Sequence, residues 1–389
     1  MGFGISRRAR SKRAKGGLRA LFGRAPDAKE VGTRLSLLAK RVLDREIIAE
    51  LTTRRMTLDL HPEALPIKVQ VLPDGDIEVT GDTARLGPGY HRTISPILTP
   101  LLEEMDFVWA DEEPDPRTAM PAWLSKYLAG GKRSFGLSKE MQFKIDAAVL
   151  TPMGPRDAAW RDAVIEDPAK SRDAFAWWDD GAGQGELAAA LIGMWLRCPW
   201  REPLDTDERD TMMAIDGALR AARKLDSSLP IPYAEWAQVR TYLGASKDRI
   251  ENLVEQAGGA APTIGYRRFA LEVAVDAWRL DVPGSFVAND EEEKYWATDG
   301  DRLVELVTIT TDGAQSSQQL LDVAPEHHPV VERLDDSGRH GRAEIEADGD
   351  VKVLHGIMAS TPHVALLTCK TNTGDIEWAR DVWRSLRVR

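Results

Sequence analysis

The chain has 389 residues, 43% of them hydrophobic and 29% charged, with a formal net charge of -11. Its length exceeds a single core of about 100 to 200 residues and predicts two or three domains, and its balance of apolar and charged residues excludes a wholly disordered or fibrous chain. No apolar run approaches the roughly 18 residues of a membrane helix, the first residues lack the apolar core of a secretory signal, and Cys198 and Cys369 alone cannot supply a disulfide framework.

Charge is unevenly placed. Residues 1–24 carry eight basic residues and no acid, leaving 43 basic against 62 acidic residues in the remainder. Arg7, Arg8, Arg10, Lys12, Arg13 and Lys15 are interleaved with small residues, so residues 1–26 read as a disordered basic tail. Such a tail is solvated or attracts nucleic acid or an anionic membrane, which the acidic body repels. Met1-Gly2-Phe3-Gly4-Ile5-Ser6 also fits the short myristoylation pattern, although the Ala, Arg and Asp richness is that of a GC-rich bacterial chain, in which that modification is not expected.

Residues 27–115 read as a small α+β domain. Val31, Leu35, Leu38 and Val42 recur at helical spacing and predict a helix over 28–51. Ile67, Val69 and Val71, the turn residues Pro73-Asp74-Gly75-Asp76, and Ile77 and Val79 predict a hairpin. A second helix is expected from Ser95 with Pro96 at its first position, Pro100 being awkward inside it, and Phe107-Val108-Trp109 reads as a strand.

Residues 116–258 read as a mainly helical domain, with one strand at Met141, Phe143 and Ile145. Leu187, Leu191, Met194 and Trp195 form one stripe. Asp205 and Glu208 are a capping pair for a helix burying Met212, Ile215, Leu219 and Ala222, and Pro232 opens a third helix that turns Trp236, Val239 and Leu243 inward. The run Ala257-Gly-Gly-Ala-Ala-Pro262 is the best linker candidate.

From residue 261 to 389 the period changes to two. Residues 269–280, 303–309, 351–358 and 364–369 read as strands, the last two paired around Ser360-Thr361-Pro362, and Ile376, Ala379, Val382 and Leu386 mark a closing helix. The segment Trp278-Arg279-Leu280-Asp281-Val282-Pro283-Gly284-Ser285-Phe286, the later hairpins, and Asp375-Ile376-Glu377-Trp378-Ala379-Arg380 with Trp383-Arg384-Ser385-Leu386 resemble the PsbP/Mog1-like domains. The resemblance covers about 120 residues. It implies an α/β sandwich serving as a binding or accessory module, with no catalytic residue to carry over, and the charged stretch 324–342 then reads as an insertion. The fold class expected is therefore α+β and multidomain, ending in an antiparallel-sheet α/β sandwich.

Motifs for chemistry fail on inspection. Ala129-Gly130-Gly131-Lys132-Arg133-Ser134 lacks the first glycine of a phosphate loop, and Arg133 replaces its hydroxyl; Gly181-Ala182-Gly183-Gln184-Gly185-Glu186 has Glu186 where the third glycine of a dinucleotide fingerprint is needed, and reads as a helix start. Neither a cofactor nor a metal is expected, because none of the seven histidines falls at the spacing that puts two ligands on one helical face. Glu326-His327-His328 is the only local cluster, and any pairing of His355 with His363 depends on strand register.

Tryptophan is the remaining signal. Of twelve, Trp177, Trp178 and Trp200 lie in polar or turn-like sequence, the last between Arg197 and Arg201, and Trp and Arg favour binding hot spots. These five residues are candidates for partner contact, with domain packing as the alternative. The reading reached is a cytoplasmic, non-catalytic interaction or accessory protein, immunity-like or chaperone-like, whose acidic body suits a basic protein partner. Its alternatives are a hydrolase whose site of carboxylates and His is assembled from distant segments, and attachment to an anionic surface or nucleic acid through the basic tail.

Overall fold

Alternation at Ile67, Val69 and Val71 turns one apolar face inward, and the computed structural model, which describes residues 3–12, 27–137, 143–291, 294–336 and 338–389, shows what covers it. In chain order come β1 (Gly4–Ser11), α1 (Ala28–Val42), β2 (Ile48–Leu51), β3 (Arg55–Leu58), β4 (Ile67–Val71), β5 (Ile77–Asp82), α2 (Pro88–Glu104) and β6 (Phe107–Trp109). The strands form an antiparallel sheet ordered β2-β3-β4-β5-β1-β6. Its apolar face, with Met56, Leu58, Val69 and Val79, shares a core with Leu35 of α1 and Ile94 and Leu98 of α2.

Three expectations are corrected here. Residues 4–11 are not a mobile tail: β1 pairs with β5 on one side and β6 on the other, and buries Ile5 and Ala9. Its arginines are neutralised within the fold, Arg7 by Glu113, and Arg8 by Asp74 and Asp76, while Arg10 lies 3.5 Å from Asp76. Composition averages charge along the chain and does not reveal which acids lie across the sheet. Helix α1 ends at Val42 because Asp44 caps a separate turn, and residues 48–51 pair as β2. Helix α2 starts at Pro88, a position where the missing N–H costs nothing, and it tolerates Pro96 and Pro100 because both sit on its exposed face, where freed carbonyls reach water.

The middle region contains α3 (Pro116–Ala129), the hairpin β7 (Val149–Thr151) and β8 (Gly154–Arg156), α4 (Ala158–Glu166), α5 (Gln184–Leu196), α6 (Thr206–Leu225), α7 (Tyr233–Tyr242) and α8 (Lys247–Ala257). The strand expected around Phe143 reduces to one bridge with Leu271, and Met141 lies outside the described residues. Asp205 caps α6 by accepting from the Glu208 backbone N–H at 2.8 Å. Helix α5 is apolar nearly all round because it is buried on two sides. Leu187 and Met194 join Met212, Ile215 and Trp236 in the helical core, while Ala188, Ile192 and Leu196 join the core of the first sheet.

Beyond it follow β9 (Ala270–Val275), β10 (Trp278–Pro283), β11 (Val287–Glu291), β12 (Lys294–Thr298), β13 (Arg302–Thr310), α9 (Ser317–Asp322), β14 (Val330–Asp336), β15 (Arg339–Asp348), β16 (Val351–Ser360), β17 (His363–Thr371), α10 (Glu377–Arg384) and β18 (Arg387–Val388). They build a three-stranded sheet, β18-β10-β9, and a seven-stranded one, β11-β12-β13-β17-β16-β15-β14. Trp278, Leu280, Val304, Leu354, Leu367 and Trp383 of α10 share the core of this unit. Gly341 and Gly356 open a slot for the Trp383 ring, since a Cβ at Gly356 would stand 2.4 Å from Trp383 Cδ1.

Two readings change. The run 269–280 is two strands, because Asp276 adopts a left-handed turn with φ of 49° that the period alone does not announce. The stretch 324–342 is structured: it supplies the edge strand β14 and the start of β15, and its charges suit an edge that must not pair with other chains. The protein is thus an α+β multidomain chain with a C-terminal sheet domain.

Candidate functional site

The five residues proposed from sequence as partner contacts are engaged within the fold. Trp200 is only 7% exposed, adopts φ of 57°, and is sandwiched between Gly265 and the Arg268 guanidinium, 3.9 Å above its ring. Trp177 donates from Nε1 to the Asp179 carbonyl at 2.9 Å and lies so close to Gly89 and Gly185 that neither could carry a side chain. Trp178 is half-buried against Phe175 with Arg172 over its ring. Arg197 pairs with the buried Glu63, and Arg201 grips both oxygens of Glu208 at 2.6 and 2.7 Å while donating to the Ser285 carbonyl at 2.9 Å. Trp177, Trp200, Arg197 and Arg201 therefore fasten the helical region to its neighbours, Trp178 packs locally, and Trp200 presents almost nothing to a partner. Sequence cannot distinguish a Trp buried by remote residues from an exposed one.

Of the basic tail, Lys12 contributes its backbone N–H to the Asp106 carbonyl, and Arg13 and Lys15 lie outside the described residues. Arg7 lies beside a polar cleft lined by His91, Asp111, Glu112 and Glu113. It stacks over Trp109 at 4.1 Å and donates to Ser95 Oγ at 2.8 Å, Glu113 Oε2 at 3.0 Å and the Asp111 carbonyl at 2.9 Å. Ser95 also donates to Glu113 at 2.9 Å, and His91 bridges Glu113 at 2.8 Å and Thr83 Oγ1 at 2.8 Å. Burial alone would raise the pKa of Glu113, but the hydrogen bonds from His91 and Ser95, and the charges of Arg7 and His91, outweigh it and lower the pKa.

The order Thr83–His91–Glu113 mimics a nucleophile, base and acid. Thr83, however, is 1% exposed, so no substrate atom could reach the hydroxyl. This network ties β1, α2 and the loop before α3 together. Its adjoining cleft, about 190 Å³, is lined by Arg8, Asp111 and Glu112 as well.

A different surface stands out on the seven-stranded sheet. Across β13, β17 and β16, Val307, Leu366 and Ile357 form one cross-strand row, and Ile309 and Val364 form the next, which ends at Ala359 on β16, where the face is fully covered. Period two places them opposite the buried Val304, Leu306, Leu354 and Leu367. Ile309 is 45% and Leu366 38% exposed, although β17 is the central strand of the sheet. The signal was present in residues 303–309, which carry apolar side chains on both parities, Leu303, Val307 and Ile309 as well as Val304 and Leu306.

Beside these rows the same face carries polar groups. Glu305, Thr368, His355 and Glu344 form the third row, and Glu346 faces outward from β15 across from Val353. The loop joining α9 to β14 runs over this end. Arg342 and Glu344, 3% and 4% exposed, hold it: Arg342 donates to Glu344 at 2.7 Å and to the carbonyls of Ala324 and Pro325, and Glu344 accepts from the backbone N–H groups of His327 and His328, each at 2.9 Å. Burial would raise the pKa of Glu344, yet the two amides and Arg342 more than offset it and lower the pKa. His328 is thereby set over His355, with ring centroids 5.0 Å apart and planes within 13°.

Spacing along the chain had excluded metal ligands, but register brings His328, Glu346 and His355 together, with ligand atoms all within 4.8 Å of one another. His363 is not part of the group; it pairs across from Ser360 and Thr310 instead of His355.

No protein-family model matches the chain, and no curated protein matches it. A crystal structure from Bacteroides thetaiotaomicron is similar over a limited region, at 11% identity and a TM-score of 0.23. That match covers 29% of this chain and 45% of the other, so the chain spans less than half the length of that structure.

Proposed function

We infer that the chain is a non-catalytic interaction or accessory protein that docks another protein on the uncovered part of its seven-stranded sheet, around Ile309 and Leu366. The observation that carries this reading is the exposure of Ile309 and Leu366, 45% and 38%, on neighbouring interior strands of a sheet, beside the half-buried Val307, Ile357 and Val364. An apolar field bordered by charged rows is the composition of a protein-binding surface. The PsbP/Mog1-like resemblance of this unit, a family of binding and accessory modules, motivates the same reading. A cytoplasmic setting belongs to it, and the free, buried Cys198 and Cys369 suit a reducing compartment. Among the described residues no helix is long and apolar enough to cross a membrane.

The test is affinity purification from the native cell with the wild-type chain and a Leu366→Glu/Ile309→Glu variant, quantified by mass spectrometry beside thermal melts. One stoichiometric protein, retained by the wild type and lost by an equally stable variant, supports the docking face. Equal retention by both, no partner for either, or turnover in a broad substrate screen overturns it.

A further inference from the structure

We propose that His328, Glu346 and His355 form a binding site for a divalent transition-metal ion of the zinc class. His355 Nε2 stands 3.3 Å and His328 Nε2 3.8 Å from the same oxygen, Oε2 of Glu346. Ligands at about 2.0–2.1 Å from a tetrahedral ion are about 3.3 Å from one another. One edge of the tetrahedron is therefore already in place, and the others close by small side-chain movements. Two imidazoles and a carboxylate make a donor set that zinc accepts, leaving the fourth position to water. The two imidazoles also exclude calcium and magnesium as the preferred ions, since these take oxygen ligands.

His and Glu meet by chance on many surfaces, and what separates this group from such encounters is its support. His328 lies on a loop, yet its backbone N–H and that of His327 are held by Glu344, a carboxylate only 4% exposed and itself gripped by Arg342. The Ile345 N–H bonds the Pro329 carbonyl at 3.1 Å, so the loop is pinned to β15 on both sides of His328. Holding the backbone of His328 in place lowers the cost of ordering it when an ion arrives. Without an ion, Glu346 can accept from an Nε2–H of either ring, whereas an ion displaces those protons and draws the three ligand atoms together.

The untagged full chain, stripped with a chelator, is titrated with zinc by calorimetry and with cobalt by visible absorption, whose intensity reports four-coordination. A single saturable equivalent is expected. His328→Ala, Glu346→Gln and His355→Ala should each weaken it at least about tenfold, and His327→Ala should not. All four side chains are solvent-accessible, so thermal melts close to wild type verify folding in each variant. Absence of saturable binding overturns the proposal, as does wild-type affinity in His355→Ala or an equal loss in His327→Ala.

Discussion

Replacing Glu113 by Gln keeps the size of the side chain and removes the charge on which three donors converge. His91 approaches Oε1 at 2.8 Å, and Arg7 and Ser95 approach Oε2 at 3.0 and 2.9 Å. Hydrogen bonds to a charged partner contribute about 1.5–3 kcal/mol, and breaking a buried pair costs about 3–5 kcal/mol. Because the Glu113 side chain is 20% exposed, solvent recovers part of this, and a loss of about 2 kcal/mol is expected. For a unit of about 100 residues that lowers the melting temperature by about 8–16 °C at neutral pH. The pH dependence supplies the control. Hydrogen bonding and charge leave the folded pKa of Glu113 below its ordinary 4.5, so its contribution is complete above that value and disappears as pH falls through the lower, folded one. Calorimetric melts of wild type and variant should therefore differ at neutral pH and converge below 4.5. The other titratable groups facing Glu113 are Arg7 and His91, with Asp111 and Glu112 along the cleft, and they are common to both proteins. Equal melting at neutral pH, or a gap that persists undiminished into acid, would refute the account of this network.

Trp200→Ala should cost about 3–5 kcal/mol by denaturant unfolding, because it empties the space between Gly265 and Arg268; wild-type stability would show that the ring packs elsewhere. Gly356→Ala forces a Cβ against Trp383 and should cost about 1–3 kcal/mol, whereas Gly217→Ala, where a Cβ within α6 meets nothing in 4 Å, should add about 0.5–1 kcal/mol. Shifts of the same sign in these two melts would contradict the packing described. Burial raises the Cys198 thiol to about 11 and raises that of Cys369 as well, so a disulfide reagent at neutral pH should label neither in the native chain and both after denaturation. Fast labelling of either thiol in the native chain would count against their burial.

Much that is set locally is legible in the sequence, although the Asp44 cap beyond α1, the Pro88 start of α2 and the Asp276 turn are local features that periodicity alone does not announce. The hairpin at 67–79, the Asp205 cap of α6, the strands at 351–358 and 364–369 and the closing helix follow from period, turn chemistry and capping within a few residues. Misreadings cluster where distant partners decide. Residues 4–11 resemble a solvated basic tail until β5, β6 and the acids Asp74, Asp76 and Glu113 are set beside them. Trp200 resembles a surface anchor until Arg268 and Gly265 enclose it.

The sequence by itself determined the α+β class, the order of most elements and the apolar faces of the helices, because side-chain periodicity and backbone preference act over three or four residues. Tertiary structure alone decided which charges are neutralised, which tryptophans are buried, and that His328 and His355 share Glu346. Those outcomes hang on contacts between residues far apart in sequence, and in the sheet on register, where a shift of one residue would send His355 to the opposite face.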